Sequence, residues 1–366
     1  MAEEKGKDKE KGRERERELK TEPLTKDPQE AARLFREMGL VGAGGAGFPT
    51  YFKYLNPPKI LIVNAEEGEP GFQADKLLLC THDEEFELIL NALKEIFGFE
   101  QVYIGAKEKD KEKLEHLEKW FNIVYTPSLY GMGEERWLTK AVTGIEVPPD
   151  KYPPQCGVLV NNVETVYNMY RALFLGKPVT HKYLNVYGEV AEPCVYKAPV
   201  GTLVMDLLHM TGVVTERSHT LMCIDGGPMM GDKVDVSKDG VKKTTNGLLV
   251  TDQGLFQRRS ETNPSWDETL PEIMEKLEIA HYLDWEPEGC RELGEEVKRV
   301  KVYLKYGPGK PSQPVVAPGE EVKAEQQIAK PLEGDLSDFN ILSVAHHAPI
   351  PGKVKEVTED YILIER

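Results

Sequence analysis

The sequence predicts an α/β protein in which a mostly parallel sheet is followed by a small α+β domain and a β-rich C-terminal domain. Stretches typical of buried strands alternate with helical stretches between residues 59 and 125, which implies a parallel sheet with helices on both faces. From residue 181, short strands surround a single helix. From residue 298, strand-like stretches are separated by turns rich in proline and glycine.

The first helix follows a charged segment. Residues 1–21 alternate basic and acidic side chains, and we expect residues 1–26 to form a disordered tail; a frayed helix with ion pairs four residues apart is the alternative. Asp27 and Pro28 are typical of a helix start, and Gly39 is typical of a helix end. Apolar residues recur between them at helical spacing, at Ala31, Leu34, Phe35 and Met38.

The other predicted elements define four segments after the tail. The first domain covers residues 27–176, with strands at 59–64, 101–105 and 122–125 and helices at 83–97 and 108–121. The α+β domain covers residues 177–251, with strands at 183–188, 194–196 and 221–225 and a helix at 203–210. A polar helical connector over 252–297 and a β domain over 298–366 complete the chain.

Composition excludes several classes of function. The net charge of −16 argues against nucleic-acid binding, because such proteins need a cationic face to neutralise phosphates. No apolar run approaches the roughly 18 residues that a membrane span requires. The charged N-terminal segment is followed by no apolar stretch of the kind found in secretory signals, so we expect a soluble protein in the cytoplasm.

The cysteines do not predict a metal site. The sequence has five of them, and none lies within a few residues of another, so there is no C-x-x-C pair for zinc or an iron–sulfur cluster. We therefore expect reduced thiols and no protein metal site.

A glycine-rich loop follows the first helix. Glycines at Gly42, Gly44, Gly45 and Gly47 allow backbone N–H groups to come close to a phosphate. Three of these glycines match G-x-G-x-x-G, but that fingerprint requires a preceding strand and here a helix precedes the loop. The loop therefore predicts a phosphate site of another kind, with a simple tight turn as the alternative.

Three further motifs combine glycines with carboxylates or amides. Residues 64–71 read NAEEGEPG directly after a strand; their carboxylates suit ribose hydroxyls or a carboxamide, and a solvated acidic turn is the alternative. Residues 130–135 read YGMGEE. Residues 161–165 read NNVET after a buried strand, and these groups suit a flavin or its phosphate, or cap the next helix.

Taken in order, the motifs GxGGAGFPTxxK (42–53), NAEEGEPG, YxxGEE and NNVxT resemble the NADH-oxidising flavoprotein subunit of respiratory complex I and the C subunit of the Rnf oxidoreductase. Residues 181–231 resemble the β-grasp (SLBB) domain of these proteins, and residues 243–249 (KTTNGLL) resemble the Rnf form. The stretch from about residue 300 resembles the Rnf barrel-sandwich module, in the order found in cobalamin reductases. The resemblance implies a Rossmann-like domain that binds FMN.

The resemblance also implies site residues and cofactors. FMN and NADH are the expected cofactors, and no acid–base residue is needed because hydride passes to the flavin. The glycine loop and Lys53 are expected at the flavin phosphate and ring side, Asn64 and Glu66 at the ribityl chain, Glu67 and Glu135 at NADH, and Phe48 as a stacking partner. The full set of expected cofactor-binding residues is Gly42, Gly44, Gly45, Ala46, Gly47, Phe48, Lys53, Asn64, Glu66, Glu67, Gly133, Glu134, Glu135, Asn161, Asn162 and Thr165.

One departure from these relatives bears on function. Cysteine motifs for iron–sulfur clusters follow the β-grasp domain in the relatives, whereas residues 251–283 contain no cysteine. We therefore expect an FMN-dependent, NADH-oxidising electron-transfer subunit that passes electrons to partner subunits carrying iron–sulfur clusters. A non-catalytic scaffold of a redox complex and a corrinoid (cobalamin) reductase are the alternatives.

Overall fold

The computed structural model describes residues 19–213, 220–282 and 285–366. Most of the predicted tail, residues 1–18, lies outside the described residues. The remainder of that tail, residues 19–26, lies against the first domain, where the Leu24 amide donates to the Leu173 carbonyl at 2.8 Å. The predicted disorder therefore does not extend to residue 26.

The first domain contains a four-stranded parallel sheet flanked by helices. Its elements are α1 (Pro28–Glu37), α2 (Thr50–Lys53), β1 (Ile60–Ala65), α3 (Ala74–Thr81), α4 (Asp83–Phe97), β2 (Gln101–Lys107), α5 (Lys111–Leu114), β3 (Ile123–Thr126), α6 (Glu135–Thr143), β4 (Val158–Asn162) and α7 (Val163–Leu175). The strands follow the order β3-β2-β1-β4, and every pair is parallel. The predicted parallel α/β sheet is confirmed.

Local sequence explains the ends of the predicted helices. The Asp27 side chain accepts from the backbone N–H groups of Gln29 and Glu30 and so caps α1, which has proline at its first position. Helix α4 buries Phe86, Ile89 and Leu93 along one face and ends at Gly98, whose φ is +70°.

The helix predicted over residues 108–121 is wrong. The segment forms a 3₁₀ turn at Glu108–Asp110, the short helix α5 and a second 3₁₀ turn at Glu115–Leu117. Within these three elements only Leu114 and Leu117 bury apolar side chains, so the apolar stripe is too narrow to stabilise a longer helix against the sheet.

The second domain is built on a six-stranded mixed sheet. Its elements are β5 (His181–Gly188), β6 (Cys194–Pro199), α8 (Val204–Thr211), β7 (Leu221–Asp225), β8 (Asp232–Lys233) and β9 (Gly247–Asp252). The connector that follows contains α9 (Leu255–Thr262) and α10 (Leu270–Lys276), and its strand β10 (Cys290–Glu292) pairs with β6. The sheet order is β10-β6-β5-β9-β7-β8, so part of the predicted connector belongs to this sheet.

The C-terminal region forms two small antiparallel sheets, in agreement with the predicted β domain. Its strands are β11 (Arg299–Tyr303), β12 (Gln313–Pro314), β13 (Glu321–Val322), β14 (Gln327–Lys330), β15 (His346–His347), β16 (Gly352–Val357) and β17 (Tyr361–Glu365). One sheet has the order β11-β17-β16-β13 and the other β12-β14-β15. Within residues 19–213, 220–282 and 285–366, no helix is long and apolar enough to cross a membrane.

The topology of the first sheet marks one position for a ligand. The chain builds the sheet outward from β1 through β2 to β3 and then places β4 on the opposite side of β1, so the direction of winding changes between β1 and β4. Asn64 and Asn162 are register partners near the carboxyl ends of these two strands. In open α/β sheets, ligands bind outside the carboxyl ends of the strands at such a switch point.

Candidate functional site

A cavity of about 560 Å³ opens at this switch point. Its floor and one wall come from the first domain, including residues 44–46 of the glycine loop, Asn64, Glu67 and Asn162. The opposite wall comes from the second domain, and the connector adds Trp266 at the edge. The volume lies in the range of ordinary cofactor sites.

The glycine loop presents free backbone N–H groups to this cavity. Its base is fixed, because the Gly42 amide donates to the Phe48 carbonyl at 2.8 Å and the Ala43 amide donates to Thr165 Oγ1 at 2.9 Å. The N–H groups at positions 44–46 have no acceptor in the described part of the chain, and these three residues are exposed. Successive free N–H groups form a cradle for an anion.

Glycine is required at the centre of this cradle. Gly45 has φ +113°, and the nearest atom to a Cβ built there is Asn246 Nδ2 at 4.0 Å, so the loop faces open space. A Cβ at Gly44 would lie 3.1 Å from Asn162 Cβ, so this part of the loop closely approaches the end of β4. The loop therefore offers room and donors for a phosphate.

The asparagines predicted at the site hold the surrounding backbone. Asn162 caps α7, because its side-chain carbonyl oxygen accepts from the Glu164 and Thr165 amides at 2.9 and 3.3 Å. This is the helix-capping role that the sequence offered as the alternative for residues 161–165. Asn64 donates to the Gly133 carbonyl at 3.0 Å and thereby joins two of the motifs. Asn161 is buried and donates to the Tyr54 hydroxyl at 2.7 Å.

Glu66 is directed into the protein and does not line the cavity. Its carboxylate lies 3.1 Å from Lys107 Nζ and accepts from the Thr126 hydroxyl at 2.6 Å, and both charged side chains are fully buried. Burial raises the pKa of Glu66 and lowers that of Lys107. The pair joins the ends of β1, β2 and β3 beneath the acidic loop.

Glu67 and Asp75 form an acidic pair on the cavity wall. Glu67 Oε1 accepts from the Asp75 amide at 2.8 Å, and Asp75 Oδ2 accepts from the Asn162 side chain at 2.5 Å. Burial raises the pKa of Glu67, and burial together with the Glu67 charge raises the pKa of Asp75 to about 8. Ionisation of both Glu67 and Asp75 at the same time is therefore unfavourable.

Lys53, Glu135 and Phe48 do not line this cavity. Lys53 Nζ donates to the Val160 carbonyl at 3.0 Å and lies 3.5 Å from Glu135. The Phe48 ring packs edge-on against Phe52, with the ring centroids 6.0 Å apart. The other predicted residues at this end of the site, Gly133 and Glu134, do line the cavity, and Glu134 also caps α6.

The second wall is the part that the sequence motifs did not identify. It includes Lys242, Thr244 and Asn246, which are partly exposed, whereas the alternating residues Lys243 and Thr245 are buried. The Rnf-like KTTNGLL stretch overlaps this segment, so the sequence contained a signal for it. That signal gave no indication that the segment faces the glycine loop.

Buried polar contacts hold the two walls together. The Glu69 carboxylate of the acidic loop accepts from the Met229 and Met230 amides at 2.9 and 2.8 Å. Lys182 of β5 forms an ion pair with Glu164 of α7, and both side chains are buried. These contacts cross between the domains, so the cavity is a joint property of both.

Comparison with known proteins identifies both domains. Residues 35–171 match the Nuo51 FMN-binding domain, and residues 183–233 match the SLBB domain. The chain is 34% identical over 249 residues to the cobalamin reductase PduS of Citrobacter freundii, an alignment that covers 66% of this chain and 55% of that protein. It is 30% identical over 239 residues to the C subunit of the ion-translocating oxidoreductase complex of Rhodobacter capsulatus, covering 62% and 46% of the two chains.

A solved structure has the same fold. The NAD⁺-reducing [NiFe]-hydrogenase in its air-oxidised state superposes with a TM-score of 0.55 at 22% identity, over 71% of this chain and 54% of that one. The chain spans about half the length of the curated relatives it matches. The chain thus joins a domain that matches the Nuo51 FMN-binding domain to one that matches the SLBB domain, and it is similar to the Rnf-type C subunits and the cobalamin reductases over about half of their length.

Proposed function

We propose that this protein binds one FMN non-covalently, oxidises NADH and passes the electrons to a partner redox protein in the cytoplasm. The observation that carries the proposal is the cavity at the switch point of the parallel sheet, with the free N–H groups of residues 44–46 at one end. The match of residues 35–171 to an FMN-binding domain supports the choice of cofactor.

The residues of the cavity fit FMN chemically. The N–H groups at positions 44–46 suit the phosphate. The side-chain amides of Asn64 and Asn162 line the cavity, and each keeps a second N–H beside its bond within the protein, which would suit the hydroxyls of a ribityl chain. When bound, the flavin supplies the redox chemistry, because it accepts a hydride and releases electrons singly. The protein's part is to position the cofactor between two walls and to limit water around it.

We propose NADH rather than NADPH as the electron donor because of the carboxylates that line the cavity. Glu67, Glu69 and Glu134 line the cavity, where a 2′-phosphate of NADPH would add negative charge. No arginine lines this cavity within the described residues to receive such a phosphate.

A spectroscopic experiment tests both parts of the proposal. The purified protein, reconstituted with FMN, should show the spectrum of a protein-bound flavin. NADH should bleach this spectrum at least about tenfold faster than NADPH, because the carboxylates repel the 2′-phosphate of NADPH. A tenfold difference corresponds to roughly 1.4 kcal/mol. Absence of a bound flavin would favour the scaffold function. Equal bleaching by both nucleotides would contradict the role of the carboxylates.

The partner follows from the missing cysteines. Electrons that reach the flavin have no cluster ligands in residues 251–283 to receive them, so we propose that the physiological acceptor is reached through a partner with its own cluster, flavin or other redox group, with the SLBB and C-terminal domains as its docking surfaces. NADH-dependent reduction of artificial dyes without added protein is expected. Full-rate transfer from the isolated chain to its natural acceptor would contradict the need for a partner.

Corrinoid reduction is the second candidate function. It rests on the 34% identity to the cobalamin reductase PduS. NADH-dependent reduction of a cobalamin by the FMN-loaded chain, compared with dye reduction by the same sample, distinguishes this function from transfer to a protein partner.

A further inference from the structure

The cavity is strongly acidic except at one place. Among the described residues, the charged side chains that line it are the carboxylates of Glu67, Glu69, Asp75, Glu134, Asp225 and Asp232 and the single cation Lys242. A phosphate monoester carries up to two negative charges near neutral pH, so most of this surface repels it. The phosphate must lie where donors and positive charge are concentrated.

The segment that carries Lys242 belongs to the second domain and faces the glycine loop. A Cβ built at Gly47 would lie 3.1 Å from Thr244 Cγ2, and one built at Gly45 would have Asn246 Nδ2 as its nearest neighbour at 4.0 Å. The two segments therefore lie opposite each other across the anion cradle.

Three polar groups of this segment are available to a ligand. Thr244 Oγ1 and Asn246 Nδ2 have no hydrogen-bond partner in the described part of the chain, while Asn246 Oδ1 is fixed by Lys182 Nζ at 2.9 Å. Lys242 Nζ lies 3.2 Å from Asp225, and 41% of its side chain is exposed. Because Asp225 also accepts from the Thr245 hydroxyl at 3.0 Å, it keeps a partner when the lysine turns toward an anion.

Lys53, the cation expected at the phosphate from the family resemblance, is engaged elsewhere. It donates to the Val160 carbonyl, pairs with Glu135 and does not line the cavity. Among the described residues, the cation that lines the cavity is Lys242 of the second domain.

We infer that the phosphate of the bound flavin is held between the two domains, with Lys242 as its counter-ion and Thr244 and Asn246 as additional donors opposite the glycine loop. This inference rests on the proposed function, since it concerns the same flavin. It adds the second domain, through the segment just before β9, to the cofactor site.

The test compares FMN with riboflavin, which has the same ring and ribityl chain but no phosphate. Dissociation constants of both are measured on the apoprotein by quenching of flavin fluorescence. Lys242→Ala should weaken FMN binding by about 10- to 100-fold, the range for loss of a charge-assisted hydrogen bond, and change riboflavin binding by less than about twofold. Thr244→Val should weaken FMN binding by about threefold to tenfold in the same selective way.

Two further variants complete the test. Lys242→Arg should keep most of the preference for FMN because it keeps the charge, and Lys238→Ala, an exposed lysine of the same domain outside the cavity, should bind both flavins as the unmodified protein does. If the unmodified protein binds neither flavin, the proposed function itself fails. If both flavins bind and Lys242→Ala affects them equally or not at all, or if Lys53→Ala alone removes the preference, the assignment of Lys242 is overturned.

Discussion

The two walls of the cavity use their polar side chains differently. On the first wall, Asn64 bonds to the Gly133 carbonyl and Asn162 caps α7. Behind this wall, Thr165 accepts from the Ala43 amide and Glu66 is buried against Lys107. On the second wall, the side chains of the Lys242–Asn246 segment that face the cavity keep donors free for a ligand. The first wall thus fixes the shape of the site through its motifs, and the second leaves groups that can respond to what binds.

The glycine loop provides the sharpest test of this difference, because it makes the cradle with backbone alone. Gly45→Val should weaken FMN binding by at least about 100-fold, which corresponds to about 2.7 kcal/mol, since the side chain enters the cavity and the residue has φ +113°. Fluorescence quenching of the flavin measures the loss.

Gly157→Val is the matched control for backbone strain. Gly157 has φ +91° and no atom within 4 Å of a built Cβ, so a side chain there costs stability without entering the site. It should reduce the midpoint of thermal unfolding and leave the flavin dissociation constant within about twofold. Undiminished FMN binding by Gly45→Val would remove the loop from the phosphate site.

The fold of this protein is largely readable from its sequence, for identifiable reasons. Leu61, Ile62 and Val63 form a continuous buried run, as strands covered on both faces do, and the structure places β1 there. The prediction for residues 108–121 was wrong because it relied on charged residues with good helix propensity. The segment buries little apolar surface, so propensity alone did not produce a continuous helix.

The site was only partly predictable. Ordered motifs identified the first wall because its glycines and amides serve backbone geometry, which leaves a pattern along the chain. The approach of Thr244 to Gly47 joins residues almost 200 positions apart through the packing of two domains, and no local pattern encodes it. For the same reason, the sequence could not reveal that Glu66 turns into the protein toward Lys107.

The contact between the walls can be weakened at Glu69. Its carboxylate accepts from the Met229 and Met230 amides and from the Tyr130 hydroxyl at 3.2 Å. Glu69→Gln replaces one oxygen by an amide donor that opposes these donors, so the free energy of unfolding should fall by about 1–3 kcal/mol. Denaturant unfolding measures the change, and the two methionine amides should exchange hydrogen faster.

Glu135→Gln is the control for this substitution. Glu135 is 43% exposed and its ion pair with Lys53 is long, at 3.5 Å, so its loss should change the free energy of unfolding by less than about 1 kcal/mol. Equal stability of both variants, with unchanged exchange at residues 229 and 230, would show that Glu69 does not join the domains.

The smallest effect is expected at the acidic pair of the first wall, and it depends on pH. Asp75 has a pKa of about 8 in the folded protein, against an ordinary 3.8, because of burial and the adjacent Glu67. Folding therefore favours the protonated acid, and the stability that this form contributes is present below the ordinary pKa and is lost as the pH rises through about 8.

Asp75→Asn keeps the shape and removes this loss, so its stability relative to the unmodified protein should rise by about 1 kcal/mol between pH 6 and pH 8, or about 1–2 °C in unfolding midpoint. The gain is smaller than a single isolated group would give, because Glu67, whose pKa burial also raises, shares the proton uptake of this wall. Glu67→Gln should shift the balance in the same direction, since it removes the charge that opposes ionisation of Asp75. A difference between Asp75→Asn and the unmodified protein that is constant from pH 6 to pH 8 would mean that this wall carries both charges without cost, and the contrast between a constrained first wall and a responsive second wall would then have to rest on hydrogen bonding alone.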